Sequence, residues 1–160
     1  MYENTGLTGD TIIEMKRKIT DLSEKMRLDD FVERYDSRDR RCSVKSCYLK
    51  IRCIHKNVWM PYVSGYKVKE VTELCEIETQ SGVVLRCVPT HMIYTKKNKK
   101  NVFVSAKELA PKDIVLLKSL KEDPIVNVQM IKLDQKIPVY NLSIIPNVDG
   151  FYANGILVKK

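Results

Sequence analysis

Residues 139–158 read VYNLSIIPNVDGFYANGILV. Val139–Ile145 has the apolar, β-branched texture of a strand, and Phe151–Val158 is an apolar strand carrying an Asn154-Gly155 pair. Asn-Gly favours a tight turn because both residues tolerate positive φ. Working back from this stretch, Ile125–Leu133 and Asp113–Leu117 read as further strands. HMIYT at 91–95 and NVFVSA at 101–106 flank a lysine-rich loop, which predicts a hairpin. Gln80-Ser81-Gly82 lies between ELCEIET and VVLRCV and predicts another. YLKIRCIH at 48–55 alternates in the same manner.

The first third of the chain differs. GLTGDTII at 6–13 reads as a turn entering a short strand. Over 20–35, Leu22, Met26, Val32 and Tyr35 fall near helical spacing, with Thr20 or Asp21 as a cap, and predict one helix. Residues 36–47 are polar and charged and read as a loop. Short strands at close spacing, with one short helix near the N-terminus, predict a mostly β fold of curled sheets in a single domain.

Composition narrows the function. The chain has 160 residues and a net charge of +8, with lysine and arginine scattered rather than massed. The concentrations at Arg38–Arg41 and Lys96–Lys100 read as solvated loops. A non-catalytic basic β-domain binding nucleic acid is the runner-up reading, but no exposed aromatics interleave with the lysines, so a nucleic-acid partner is not favoured. Five cysteines without a CxxC argue against both a disulfide framework and a zinc site. No metal or cofactor is expected. No apolar run nears the roughly 20 residues that span a bilayer, and the first residues lack a signal-peptide pattern. The expectation is a cytoplasmic protein without a membrane partner.

Four segments, in order, resemble the conserved blocks of inteins, the protein-splicing members of the Hint superfamily. They are Leu7-Thr8-Gly9-Asp10-Thr11; then Cys87-Val88-Pro89-Thr90-His91 with Tyr94-Thr95; then Val104–Leu109 with Lys112-Asp113; and last Val139–Ile144 with Phe151–Val158. The order carries more weight than any one segment. The resemblance implies a horseshoe-like β fold with the two chain ends brought together at its centre. Lys118–Pro124 leaves no room for a homing endonuclease, so it implies a mini-intein. Residues 1–5 would then be N-extein or appended residues, and 6–160 the domain. The region 25–46 reads either as a former split site, with a complementary fragment as partner, or as a surface insertion. The other partner is the flanking extein polypeptide.

What the resemblance implies for the chemistry is specific. Splicing starts when a thiol or hydroxyl on the first intein residue attacks the preceding carbonyl. That position here is Gly6, which has no nucleophile. His91 holds the place of the histidine that assists at the scissile amide nitrogen. Thr90 and Asp10 would support the site, Val88 stands where threonine is usual, and Lys112 where glycine is usual. Asn141 occupies the position of a frequent aspartate, and can hydrogen-bond but not act as a base. The final step is cyclisation of a terminal asparagine helped by a preceding histidine, and the matching residues are Lys159 and Lys160. The sequence thus predicts an autocatalytic splicing-type domain that is inactive as written. A self-cleaving Hint domain of another type is the alternative.

Overall fold

The computed structural model describes residues 5–17, 23–36, 47–53, 56–60, 63–119, 121–144 and 150–159. The chain enters with a two-residue strand, β1 (Leu7–Thr8). It turns at Gly9-Asp10 and runs into β2 (Ile12–Arg17). A side chain at Gly9 would meet Asp29 carboxylate oxygen at 2.9 Å, so the turn packs against the segment that follows.

β2 pairs antiparallel with β3 (Ser23–Arg27), from Ile12↔Arg27 to Lys16↔Ser23. This hairpin corrects two expectations. No strand is expected over 20–27, yet residues 23–27 pair with β2. The helix predicted over 20–35 is shorter: α1 spans Leu28–Asp36. Met26 is buried between exposed Lys25 and Arg27, a period-two pattern that suits a strand. Leu28, Phe31 and Val32 then supply the buried helical face. The first helical amides are capped by backbone, Leu28 N–H donating to the Thr11 carbonyl at 2.7 Å and Asp29 N–H to the Gly9 carbonyl at 3.0 Å. Thr20 and Asp21, the expected caps, lie outside the described residues, as do residues 37–46 of the charged loop and Cys42.

β4 (Cys47–Cys53) and β5 (Lys56–Met60) form a second hairpin. β6 (Val63–Thr79) turns at Gln80–Gly82 into β7 (Val84–Cys87), as the sequence predicts. β8 (Met92–Lys97) and β9 (Lys100–Ser105) are the expected lysine hairpin, its tip Asn98-Lys99 at φ 51° and 65°. A 3-10 turn (Ala106–Glu108) leads to β10 (Ile114–Leu116). The two strands expected at 125–133 and 139–145 are one: β11 runs from Glu122 to Ile144, with register shifts between Lys132 and Ile137 and near each end. β12 (Gly150–Ala153) and β13 (Ile156–Lys159) close on the Asn154-Gly155 turn.

The strands join along the path β1-β7-β6-β11-β10-β8-β13-β12-β4-β2-β3, with β5 on β4 and β9 on β8. Curling of this sheet buries Leu7, Ile13, Phe31, Ile77, Leu85, Ile93, Val115, Phe151 and Ile156 in one cluster. Burying such side chains is worth about 1.5–3 kcal/mol each before the entropy of ordering is set against it. Two pairings matter most for function. β1 lies between β7 and β11, through Leu7↔Cys87, Leu7↔Tyr140 and Thr8↔Val139. β13 pairs with β8 through Val158↔Ile93. The first and last described strands are therefore drawn to the turn that joins β7 to β8. Among the described residues no helix is long and apolar enough to cross a membrane.

Candidate active site

That turn is Val88–His91, closed by the His91 N–H donating to the Val88 carbonyl at 2.9 Å. Thr90 lies in the turn, not on a strand. The Ala106 N–H holds the His91 carbonyl at 2.9 Å, tying the histidine to the 3-10 turn. Its imidazole is fully buried.

The imidazole touches both ends of the chain. The Gly6 N–H donates to Nδ1 at 3.0 Å. Nε2 lies 3.0 Å from the Lys159 carbonyl oxygen. An N–H donor at Nδ1 requires a bare nitrogen there, so the proton sits on Nε2 and is donated to Lys159. Burial pushes the group down to about 4; the hydrogen bonds to Lys159 and Gly6 oppose this, and the Lys69 charge adds to it. The ring is therefore neutral at pH 7, in one tautomer.

Gly6 is held on its other side as well, its carbonyl accepting the Val88 N–H at 2.8 Å. Asn141, from β11, donates through Nδ2 to the Thr5 hydroxyl at 2.8 Å. Its Oδ1 accepts the Leu142 N–H at 3.0 Å. Asn141 is nearly fully buried, with both ends of its amide engaged. The structure thus brings His91, Asn141, Gly6 and the Lys159 backbone together. The Lys159 side chain is exposed, with its ammonium 5.8 Å from the centre of the Phe103 ring. Asp10 sits at the surface instead, accepting the Thr8 hydroxyl at 2.6 Å and lying 3.6 Å from Arg86. Lys160 lies outside the described residues.

Sequence reading missed three contributors. Val139 packs on Gly6, Thr5 is gripped by Asn141, and Lys69 adds its charge to the field at His91. Cys87 is fully buried, and burial first and Cys75 second push its thiol above the usual range. Such a thiol is a poor nucleophile. Among the described residues there is no group of three or more histidine, cysteine or acidic side chains able to hold a metal.

A curled β-sheet that delivers both chain ends to one buried imidazole defines a class, the Hint fold. Solved structures bear this out. The chain matches the crystal structure of an intein from a hyperthermophile with a TM-score of 0.81 at 14% identity, over 98% of this chain and 99% of that one. It matches the Mvu transcription factor IIB mini-intein with a TM-score of 0.79 at 20% identity, over 97% and 99%. It also matches a bacterial intein-like domain from Clostridium thermocellum, with a TM-score of 0.69 at 16% identity, over 94% and 99%. The chain has the fold of a mini-intein. No protein-family model matches the sequence, and no curated protein matches it.

Proposed function

We propose that this chain is a splicing-type Hint domain that holds its two flanking polypeptide segments at His91 without joining them. The observation behind this reading is the single imidazole hydrogen-bonded to both the Gly6 amide and the Lys159 carbonyl. In the splicing reaction the Gly6 amide belongs to the first bond that breaks, Thr5–Gly6, and the Lys159 carbonyl lies one peptide before the second. A neutral histidine accepting from an amide N–H positions that amide, and becomes a general acid only after gaining a proton. No side chain at position 6 can attack the Thr5 carbonyl, and the lysine at 159 replaces the histidine of the final step. The flanking polypeptide is the partner, and no cofactor enters any step.

The test is direct. With a reporter domain fused to each end, mass spectrometry should find the full-length chain intact after prolonged incubation, with or without added thiol. Ligated reporters would overturn the inactive reading. Release of one reporter without ligation would favour a self-cleaving Hint domain, which the likeness to the bacterial intein-like domain keeps as the second reading.

A further inference from the structure

Gly6 is more than a missing nucleophile. A Cβ built on it would lie 2.6 Å from Val139 Cγ2, 2.9 Å from Val139 Cβ and 3.2 Å from Val88 Cγ2. The first two are closer than side-chain carbons approach one another, and the third is tight. Rotating the valine side chain removes the contact with Cγ2 but leaves Cβ where it is. The glycine has no positive φ, so its backbone suits any L-residue and the obstacle is space alone.

Nor can the chain step back. The Gly6 N–H is fixed on His91 and its carbonyl on the Val88 N–H, at 3.0 Å and 2.8 Å. On the other side, Val139 is pinned by the register of β11 with both β1 and β6, through Thr8↔Val139 and Val139↔Lys69. It is 1% exposed and packs with Leu74 and Val88 in a small apolar cluster of its own. Relief would require breaking a hydrogen bond to the site or moving a central strand.

We infer that Val139, backed by Val88, is a steric gate that restricts position 6 to glycine. This rests on reading Gly6 as the first-residue position of the Hint site. It deepens that reading, because the nucleophile is excluded by packing as well as by sequence. Replacing the glycine by cysteine would then not restore a working site. The thiol would enter only if residue 139 were cut back at the same time.

The experiment separates the gate from the chemistry. Thermal unfolding is measured for Gly6→Ala in three backgrounds: the unchanged chain, Val139→Ala and Val139→Gly. Overpacking of this kind lowers the midpoint of a 160-residue protein by roughly 4–10 °C. The loss caused by Gly6→Ala should be largest in the unchanged chain, smaller with Val139→Ala, which keeps the Cβ contact, and smallest with Val139→Gly. Equal losses in all three backgrounds, or no loss in the unchanged chain, would overturn the gate. A second arm adds Gly6→Cys with and without Val139→Gly to the reporter fusion and tests for thiol-induced release of the N-terminal reporter. Release in the unchanged Val139 background would also overturn the gate. A graded stability series without release in either background leaves the gate standing and counts against the splicing-type reading of the site.

Discussion

The two chain ends meet the same imidazole in different ways. At the Gly6 end the residue is buried, both of its backbone polar groups are bonded inside the fold, and Val139 and Val88 fill the space where a side chain would go. At the Lys159 end only the backbone is engaged. The side chain is exposed and lies over Phe103, free of the packing that fixes its carbonyl. Both positions depart from the residues that the intein resemblance leads one to expect, but the departures differ in kind. One is enclosed by the core, and the other is a replacement on a surface. At each end the hydrogen bond to His91 uses a backbone group, so it does not depend on which functional group the end residue carries. Chemistry does depend on that group.

The largest effect should come from removing what the two ends share. His91→Ala leaves the Gly6 N–H and the Lys159 carbonyl without their partner and opens a cavity in a fully buried site. A loss of about 2–4 kcal/mol is expected by urea denaturation at pH 7. The effect should depend on pH, with a definite sign. The folded value of about 4 lies below the ordinary histidine value of 6.5, so the unfolded chain binds the proton more readily. The contribution is complete above pH 6.5 and is lost as the pH falls toward 4, by about 3 kcal/mol. His91→Ala should flatten that part of the stability profile. A variant with the same slope as the parent between pH 6.5 and 4 would show that another group carries it.

Next in size is the contrast between the ends themselves. Against the marked loss expected for Gly6→Ala, Lys159→His changes an exposed side chain and should shift stability by no more than about 0.5 kcal/mol. If the two substitutions cost the same, the difference between a walled end and an open end does not exist. A smaller effect belongs to Asn141, whose amide anchors Thr5 from the Gly6 side only. Asn141→Ala should cost about 1–2 kcal/mol and raise amide exchange around Gly6 while leaving β13 protected. Exchange rising equally at both ends would mean that Asn141 organises the whole site.

Much of this was legible in the sequence, for physical reasons that also explain the misses. The hairpins at 80–82, 98–99 and 154–155 announce themselves because turn chemistry is local. Over residues 23–27 the sequence points the wrong way, because Leu22 and Met26 mimic helical spacing whereas pairing with β2 decides the conformation. β11 reads as two strands in sequence because the polar stretch around Asp134–Lys136 interrupts it, where the register slips between Lys132 and Ile137. At the site, Gly6, His91, Asn141 and Lys159 stood out from the order of the four blocks, and the fold brings them together. Val139 did not stand out. In sequence it is one more valine in an apolar strand, and its contact with Gly6 exists only through the register of β1 on β11, which spans more than 130 residues of chain.

The comparison extends to a third departure, Lys112, which stands where the resemblance expects glycine. Unlike Gly6, this position has not been accommodated by its surroundings. Lys112 is held at φ 80°, a left-handed conformation that opposes any side chain, with its N–H donating to the Ile125 carbonyl at 2.9 Å. The lysine side chain is exposed, so replacing it removes no buried packing. Lys112→Gly should relieve about 1–2 kcal/mol of backbone strain. Part of that gain is offset by the greater freedom of glycine in the unfolded chain, roughly 0.5–1 kcal/mol. The net expectation is stabilisation of about 0.5–1 kcal/mol, a rise of about 2 °C in the unfolding midpoint. The opposite sign is expected at Gly6, where adding a side chain harms the fold. A loss of stability on Lys112→Gly would show that the lysine is as well fitted to its place as the glycine is to position 6.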